Sequence, residues 1–134
     1  MEDCIFCKIV KGEEKSNKVY ETDKILAILD VNPISKGHLL VIPKEHYKDI
    51  FDISETILKE IIISIKKISE MVKENLGARG VNILHASREE AQQSVFHFHI
   101  HLVPRYKDDG LDTWPKSEYK ELNFEEVAKK IKCK

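Results

Sequence analysis

The sequence predicts an α+β fold: five strands in a mainly antiparallel sheet, one long helix and short terminal helices. Three observations carry that prediction. Apolar, β-branched runs near residues 18–21, 25–30 and 38–42 are separated by turn residues, which is hairpin spacing. From Ile57 to Leu76 the apolar residues recur at steps of three and four, the period of one helix face. Residues 81–85 and 94–105 then return to strand character, the second with a strict alternation.

Taken in order, Cys4, Ile5, Phe6, Cys7, Ile9 and Val10 form an apolar segment of one or two helical turns, ending near Gly12. Asp23-Lys24 turns the chain between the first two strands, and Asn32-Pro33 breaks the second. The run 38–42 is almost wholly apolar and stops at Pro43, as a buried central strand does. A loop with Lys44, His46 and Tyr47 leads to Ser54, a residue type that caps helices by accepting orphan N–H bonds. Leu58, Ile61, Ile62, Ile65, Ile68, Met71 and Val72 face inward on the helix that follows, with Lys59, Glu60, Lys66, Lys67, Lys73 and Glu74 outward. Gly77 suits its C-terminal stop. Residues 86–92 form a polar connection between the last two strands. Beyond Arg105 the chain is loop-like, Trp114 is placed to dock on its own fold or on a partner, and 123–126 resembles a capping box for a helix to about Lys132. Hairpins dominate, so the helices are expected on one side of the sheet. No linker divides the chain: 1–134 reads as one domain, with a core at 4–105 and an extension at 106–134.

Composition narrows the function. Apolar residues at 42% and charged residues at 34% suit a chain that buries a core. A net charge of −1 with evenly interleaved signs gives no electrostatic case for general nucleic-acid or membrane binding. No signal peptide and no membrane-spanning run is visible. Three cysteines, two of them in Cys4-x-x-Cys7, point to a reducing cytoplasm and to metal or redox chemistry, not to a disulfide scaffold.

The stretch that concentrates chemistry is Ser94-Val95-Phe96-His97-Phe98-His99-Ile100-His101-Leu102. As a strand it places His97, His99 and His101 on one face and Phe96, Phe98, Ile100 and Leu102 on the other. A lone half-buried histidine is ordinary; three in register are not. Imidazole is a nucleophile toward phosphorus and a general acid–base near neutral pH.

This pattern, with Gln93-Ser94-Val95 before it and Pro104-Arg105 after it, resembles the signature of the histidine triad (HIT) superfamily of nucleotide hydrolases and transferases. The resemblance implies a homodimer of five-stranded subunits. It makes His99 the nucleophile toward an α-phosphate, giving a nucleotidyl-histidine that water hydrolyses. It assigns His101 to the phosphate and the bridging atom, and Ser94 to a hydrogen bond near the leaving group, although an ordinary strand serine is an equal reading. Zinc-bearing relatives imply a structural Zn²⁺ held by Cys4, Cys7, His46 and His97; a redox pair and two unpaired buried thiols are the alternatives. Asp30, with Ile28, Leu29 and Val31, matches a strand that holds ribose and base, and Ile5 and Phe6 match the base pocket; Asp30 also reads as a turn residue. His38 fits a supporting role or a satisfied core position. The chain departs from the resemblance at Ala86, where relatives carry asparagine, and at Arg88 and Gln92, where they carry glycine. Arg88 is a candidate for a substitute phosphate contact. The activity implied is hydrolysis of nucleoside phosphoramidates or related conjugates. The alternatives are a dinucleoside polyphosphate hydrolase or nucleotidyltransferase, and a nucleotide-binding protein with little turnover.

Overall fold

A computed structural model describes residues 3–117 and 122–133. In chain order the elements are α1 (Ile5–Lys11), β1 (Lys18–Glu21), β2 (Ile25–Leu29), β3 (Leu39–Pro43), α2 (Glu55–Leu76), β4 (Gly80–His85), a 3₁₀ turn (Glu89–Ala91), β5 (Ile100–Arg105) and α3 (Phe124–Lys132). The strands make one sheet in the order β1-β2-β3-β5-β4, every neighbour antiparallel. Residues 118–121 of the expected extension lie outside the described residues.

The long helix begins as expected. Ser54 accepts a bond from the Ile57 N–H at 3.2 Å, and Gly77 closes the helix in the left-handed region at φ 75°. Ile57, Ile61, Ile65, Ile68 and Val72 are buried against Ile25, Ala27, Leu39, Val41, Phe98, Ile100 and Leu102. Each such side chain contributes about 1.5–3 kcal/mol of apolar burial. Ile62 departs from the expected stripe: it is 53% exposed beside Ile63 at 56%. Gly37 lets this helix close on the sheet. It has φ +87°, and a Cβ there would lie 2.6 Å from Leu76 Cδ1.

Helices cover both faces of the sheet, not one. Phe6 and Ile9 of α1 pack on Leu26, Ile28, Leu40 and Ile42, the strand residues that alternate with those under α2. A continuous apolar run such as β3, buried throughout, requires cover on both sides. No helix among the described residues is long and apolar enough to cross a membrane.

The histidine-bearing strand is shorter than its alternation suggests. Regular pairing starts only at Ile100, so His101 lies in β5 while His97 and His99 precede it. Upstream the backbone follows other partners: the Phe98 N–H donates to Tyr47 O at 2.6 Å. Phe98, Ile100 and Leu102 still face α2, but Phe96 is 48% exposed and belongs to neither face. Trp114 is 78% exposed and does not dock on its own subunit. Asn123 caps α3 through the Glu126 N–H at 3.0 Å, as the capping-box reading expects.

Candidate functional site

Two groups of side chains converge on the α1 face of the sheet, around His97, His99 and His101. The first is built on the start of α1. Cys4 caps the helix, its Sγ accepting the Cys7 N–H at 3.3 Å, so one helical turn brings both sulfurs together. His97 Nδ1 lies 3.3 Å from Cys4 Sγ and 3.6 Å from Cys7 Sγ. His46 Nδ1 lies 3.3 Å from Cys7 Sγ and 3.2 Å from His97 Nδ1. Ligand bonds of about 2.0–2.3 Å to a tetrahedral Zn²⁺ give donor separations of roughly 3.3–3.8 Å. The four donor atoms therefore already have a metal site's spacing, all within 4.8 Å of one another. The proton position agrees. His97 Nε2 donates to Pro43 O at 2.8 Å, which leaves the Nδ1 lone pair toward the sulfurs. Burial, above all, pushes the His97 pKa down to about 4, so the ring is neutral as a ligand must be.

His99 is fixed in the same manner. Its Nδ1–H donates to His97 O at 2.8 Å, so Nε2 carries a bare lone pair. Burial lowers its pKa, and the bond to His97 O only partly opposes that. The ring stands edge-on to Phe6, with centroids 5.2 Å apart. A neutral imidazole with an open nitrogen on a cleft is chemically able to act as a nucleophile.

The second group is Asp30, His38 and His101. The Ile34 N–H donates to His38 Nδ1 at 3.1 Å, so the proton of neutral His38 sits on Nε2. That atom lies 2.9 Å from His101 Nδ1 and 3.4 Å from Asp30 Oδ2. His101 Nδ1 accordingly accepts, and the His101 proton sits on Nε2. A cation does not fit these three residues, because His38 would need lone pairs on both ring nitrogens. They form a hydrogen-bonded chain that orients His101. Burial first, then the neighbouring His99 and His38, takes the His101 pKa down to about 4. Asp30 is also the turn residue its sequence position allows: Oδ1 accepts the Asn32 N–H at 2.8 Å.

The expected nucleotide residues fall around one cleft of about 370 Å³. Ile5, Phe6, Ile28, Leu29, Asp30, Val31, Ser94, His99 and His101 all line it. Val31 is 86% exposed and forms its rim. His97 lies behind the cleft with the thiols and does not line it.

In the loop before the histidines, the departures at 88 and 92 fall on backbone that would suit the glycines they replace. Arg88 has φ 75° and Gln92 φ 68°, backbone that favours glycine. The Arg88 guanidinium lies 4.3 Å over the Phe51 ring, with its Nε 3.5 Å from Asp49 Oδ2. Sequence reasoning gave no role to Gln93 beyond its place in the signature. It is buried, accepts the Arg88 N–H at 2.6 Å, and donates to Lys48 O at 2.7 Å and Val95 O at 3.1 Å. Nor did it single out His85, which donates to His99 O at 2.8 Å. An amide and a histidine flanking a polar loop were the only signals available.

Residues 11–108 match the HIT domain family. The chain belongs to the HIT family. Its structure superposes on a HIT family protein from Bacillus anthracis with a TM-score of 0.86 and 41% identity, covering 97% of this chain and 95% of the other. A Zn-bound histidine triad family protein from Mycobacterium smegmatis gives a TM-score of 0.80 at 35% identity, covering 96% and 89%. Among curated relatives, the adenosine 5′-monophosphoramidase of Schizosaccharomyces pombe is 40% identical over 136 residues, 96% of this chain and 98% of that protein. The HIT fold here thus carries the triad, the Cys/His cluster and the cleft together.

Proposed function

We propose that this HIT protein is a nucleotide hydrolase acting at the α-phosphate of nucleoside phosphoramidates or similar conjugates. The observation that carries the reading is the His99 ring, whose Nδ1–H is held by His97 O while Nε2 opens on the cleft. His99 Nε2 attacks phosphorus and the bond from phosphorus to the leaving nitrogen breaks. The developing positive charge on the imidazole is stabilised through Nδ1–H by the His97 carbonyl. The bound phosphate anion favours a protonated His101, with Asp30 Oδ2, 3.8 Å from His101 Nδ1 and 3.4 Å from His38 Nε2, accepting the two N–H groups that then face each other. His101 then passes its Nε2 proton to the departing amine. Water displaces His99 from phosphorus and returns a proton to His101, giving a nucleoside monophosphate and free His99. Asp30 accepts from ribose hydroxyls, the apolar walls from Ile5, Phe6, Ile28, Leu29 and Val31 hold the base, and Ser94 bonds the leaving group. The amidase among the relatives supports this substrate class.

Cys4, Cys7, His46 and His97 would hold a structural Zn²⁺, whose part is to fix α1 and the triad segment. The donor spacing and the Zn-bound relative support this assignment. We read the protein as one cytoplasmic domain that pairs with a second copy. Exposed Ile62 and Ile63 of α2 and Ile83 on edge strand β4 offer an apolar surface for that copy, and free thiols suit a reducing compartment. The deciding experiment is release of AMP from adenosine 5′-phosphoramidate. Wild type releases it and His99→Ala does not; release by neither, with nucleotide still bound, would replace the hydrolase reading with a binding role.

A further inference from the structure

The nucleophile lies outside the regular sheet, which raises the question of what aims it. Strands β4 and β5 pair from Gly80–Arg105 to His85–Ile100, and there the ladder stops. The next carbonyl, that of His99, is taken by a side chain. His85 Nδ1–H donates to His99 O at 2.8 Å. The His85 ring is itself held: it stacks on Phe98 at 4.5 Å and 29°, and its Nε2 accepts from Ser87 Oγ at 2.5 Å. Ser87 Oγ in turn accepts the Ile50 N–H at 2.9 Å. Since Nδ1 faces a carbonyl and Nε2 a hydroxyl, one tautomer satisfies both contacts.

The backbone around His99 is therefore pinned at two points. Tyr47 O holds the Phe98 N–H, and His85 holds the His99 carbonyl. His85 pairs with Ile100, so it projects on the α2 face, away from the cleft residue His101 that pairs with Leu84. We infer that His85 is a positioning residue for the nucleophile, acting from the far side of the sheet by substituting for the missing strand pairing. This rests on His99 as the nucleophile of the proposed hydrolase. A displacement of about 1 Å in a reacting group costs on the order of a hundredfold in rate. Because His85 touches none of the cleft side chains, its loss should lower kcat and leave KM nearly unchanged.

The test compares wild type, His85→Ala and His85→Asn, whose side-chain amide can place an N–H where Nδ1 stands. Adenosine 5′-phosphoramidate hydrolysis and the ring ¹⁵N signals of His99 are read on each folded protein. The expected result is a kcat about ten- to a hundredfold lower in the alanine variant, KM within about twofold, and substantial recovery in the asparagine variant. In parallel, the single Nδ1–H tautomer of His99 broadens or splits in His85→Ala and sharpens again in His85→Asn. Unchanged kcat with an unchanged His99 spectrum in the alanine variant overturns the inference. So does an equal loss in both variants, which marks a merely structural position. If wild type itself releases no AMP, the hydrolase reading fails, and the His99 spectra alone decide what His85 does.

Discussion

At the scale of single residues, the site works by assigning protons. Three backbone carbonyls and one backbone N–H suffice: Pro43 O sets His97, His97 O sets His99, His99 O sets His85, and the Ile34 N–H sets His38. His97 and His99 thereby leave opposite ring nitrogens open although their chemistry is identical. His99→Ala should cut turnover by on the order of 10⁴-fold or more while leaving bound metal and thermal midpoint intact. His97→Ala should lower the metal content and the midpoint. Metal analysis and melting curves on the two variants check this, and identical behaviour would remove the division of labour. Burial also makes a pH prediction. The His101 pKa is held at about 4, below the ~6.5 of a free imidazole. Between those values the unfolded chain binds a proton that the folded chain excludes. This contribution to stability is complete above pH ~6.5 and is lost as pH falls toward 4. Urea unfolding across that window should show a steeper decline for wild type than for His101→Asn; parallel curves would contradict it.

At the scale of elements, the loop from Ala86 to Gln93 is where local preference and fold disagree. Gln92 is held at φ 68° and ψ 35°, a left-handed conformation costing a residue with a Cβ roughly 1 kcal/mol relative to glycine. Gln92→Gly should therefore stabilise the protein by about 1 kcal/mol at unchanged m-value, and a lowered urea midpoint would refute the strain argument. Elements set by short-range chemistry were legible beforehand: Ser54 and Gly77 bound α2, and the turn residues bound β1 and β2. That Ile5, Phe6, Ile28, Leu29, Asp30 and Val31 would lie near one another was legible through the family pattern, and they line one cleft. The start of β5 was not. Alternation records which side chains are buried, and His97 and Phe98 stay buried after the backbone has left the sheet for Tyr47. The placement of α1 was likewise hidden, because an apolar run of seven residues does not say which face of a sheet it covers.

At the scale of the whole molecule, the Cys/His cluster joins segments that are distant in sequence: the first turn of α1, the loop after β3 and the approach to β5. Among the described contacts α1 is otherwise held by a small apolar cluster, with Phe6 and Ile9 its buried anchors. Phe6 is also the residue that stands against both His97 and His99, at 5.6 and 5.2 Å. The Cys/His cluster and the cleft therefore share a wall. A Zn²⁺ held by these four residues would stabilise the folded state by its affinity for that state alone, and α1, which supplies two of the four ligands, would depend on it most. About one zinc per chain is the expected content, from four protein ligands closing one tetrahedron. Chelation should lower the thermal midpoint and weaken nucleotide binding together, because freeing α1 removes Ile5 and Phe6 from the cleft. Hydrogen exchange should show the loss of protection first in residues 5–11, with α2 protected as before. Added zinc should restore midpoint, protection and binding in step. A chelated protein with native midpoint and full protection in α1 would show that the four donors are a closed hydrogen-bonded cluster, and that the packing of Phe6 and Ile9 holds the cleft unaided.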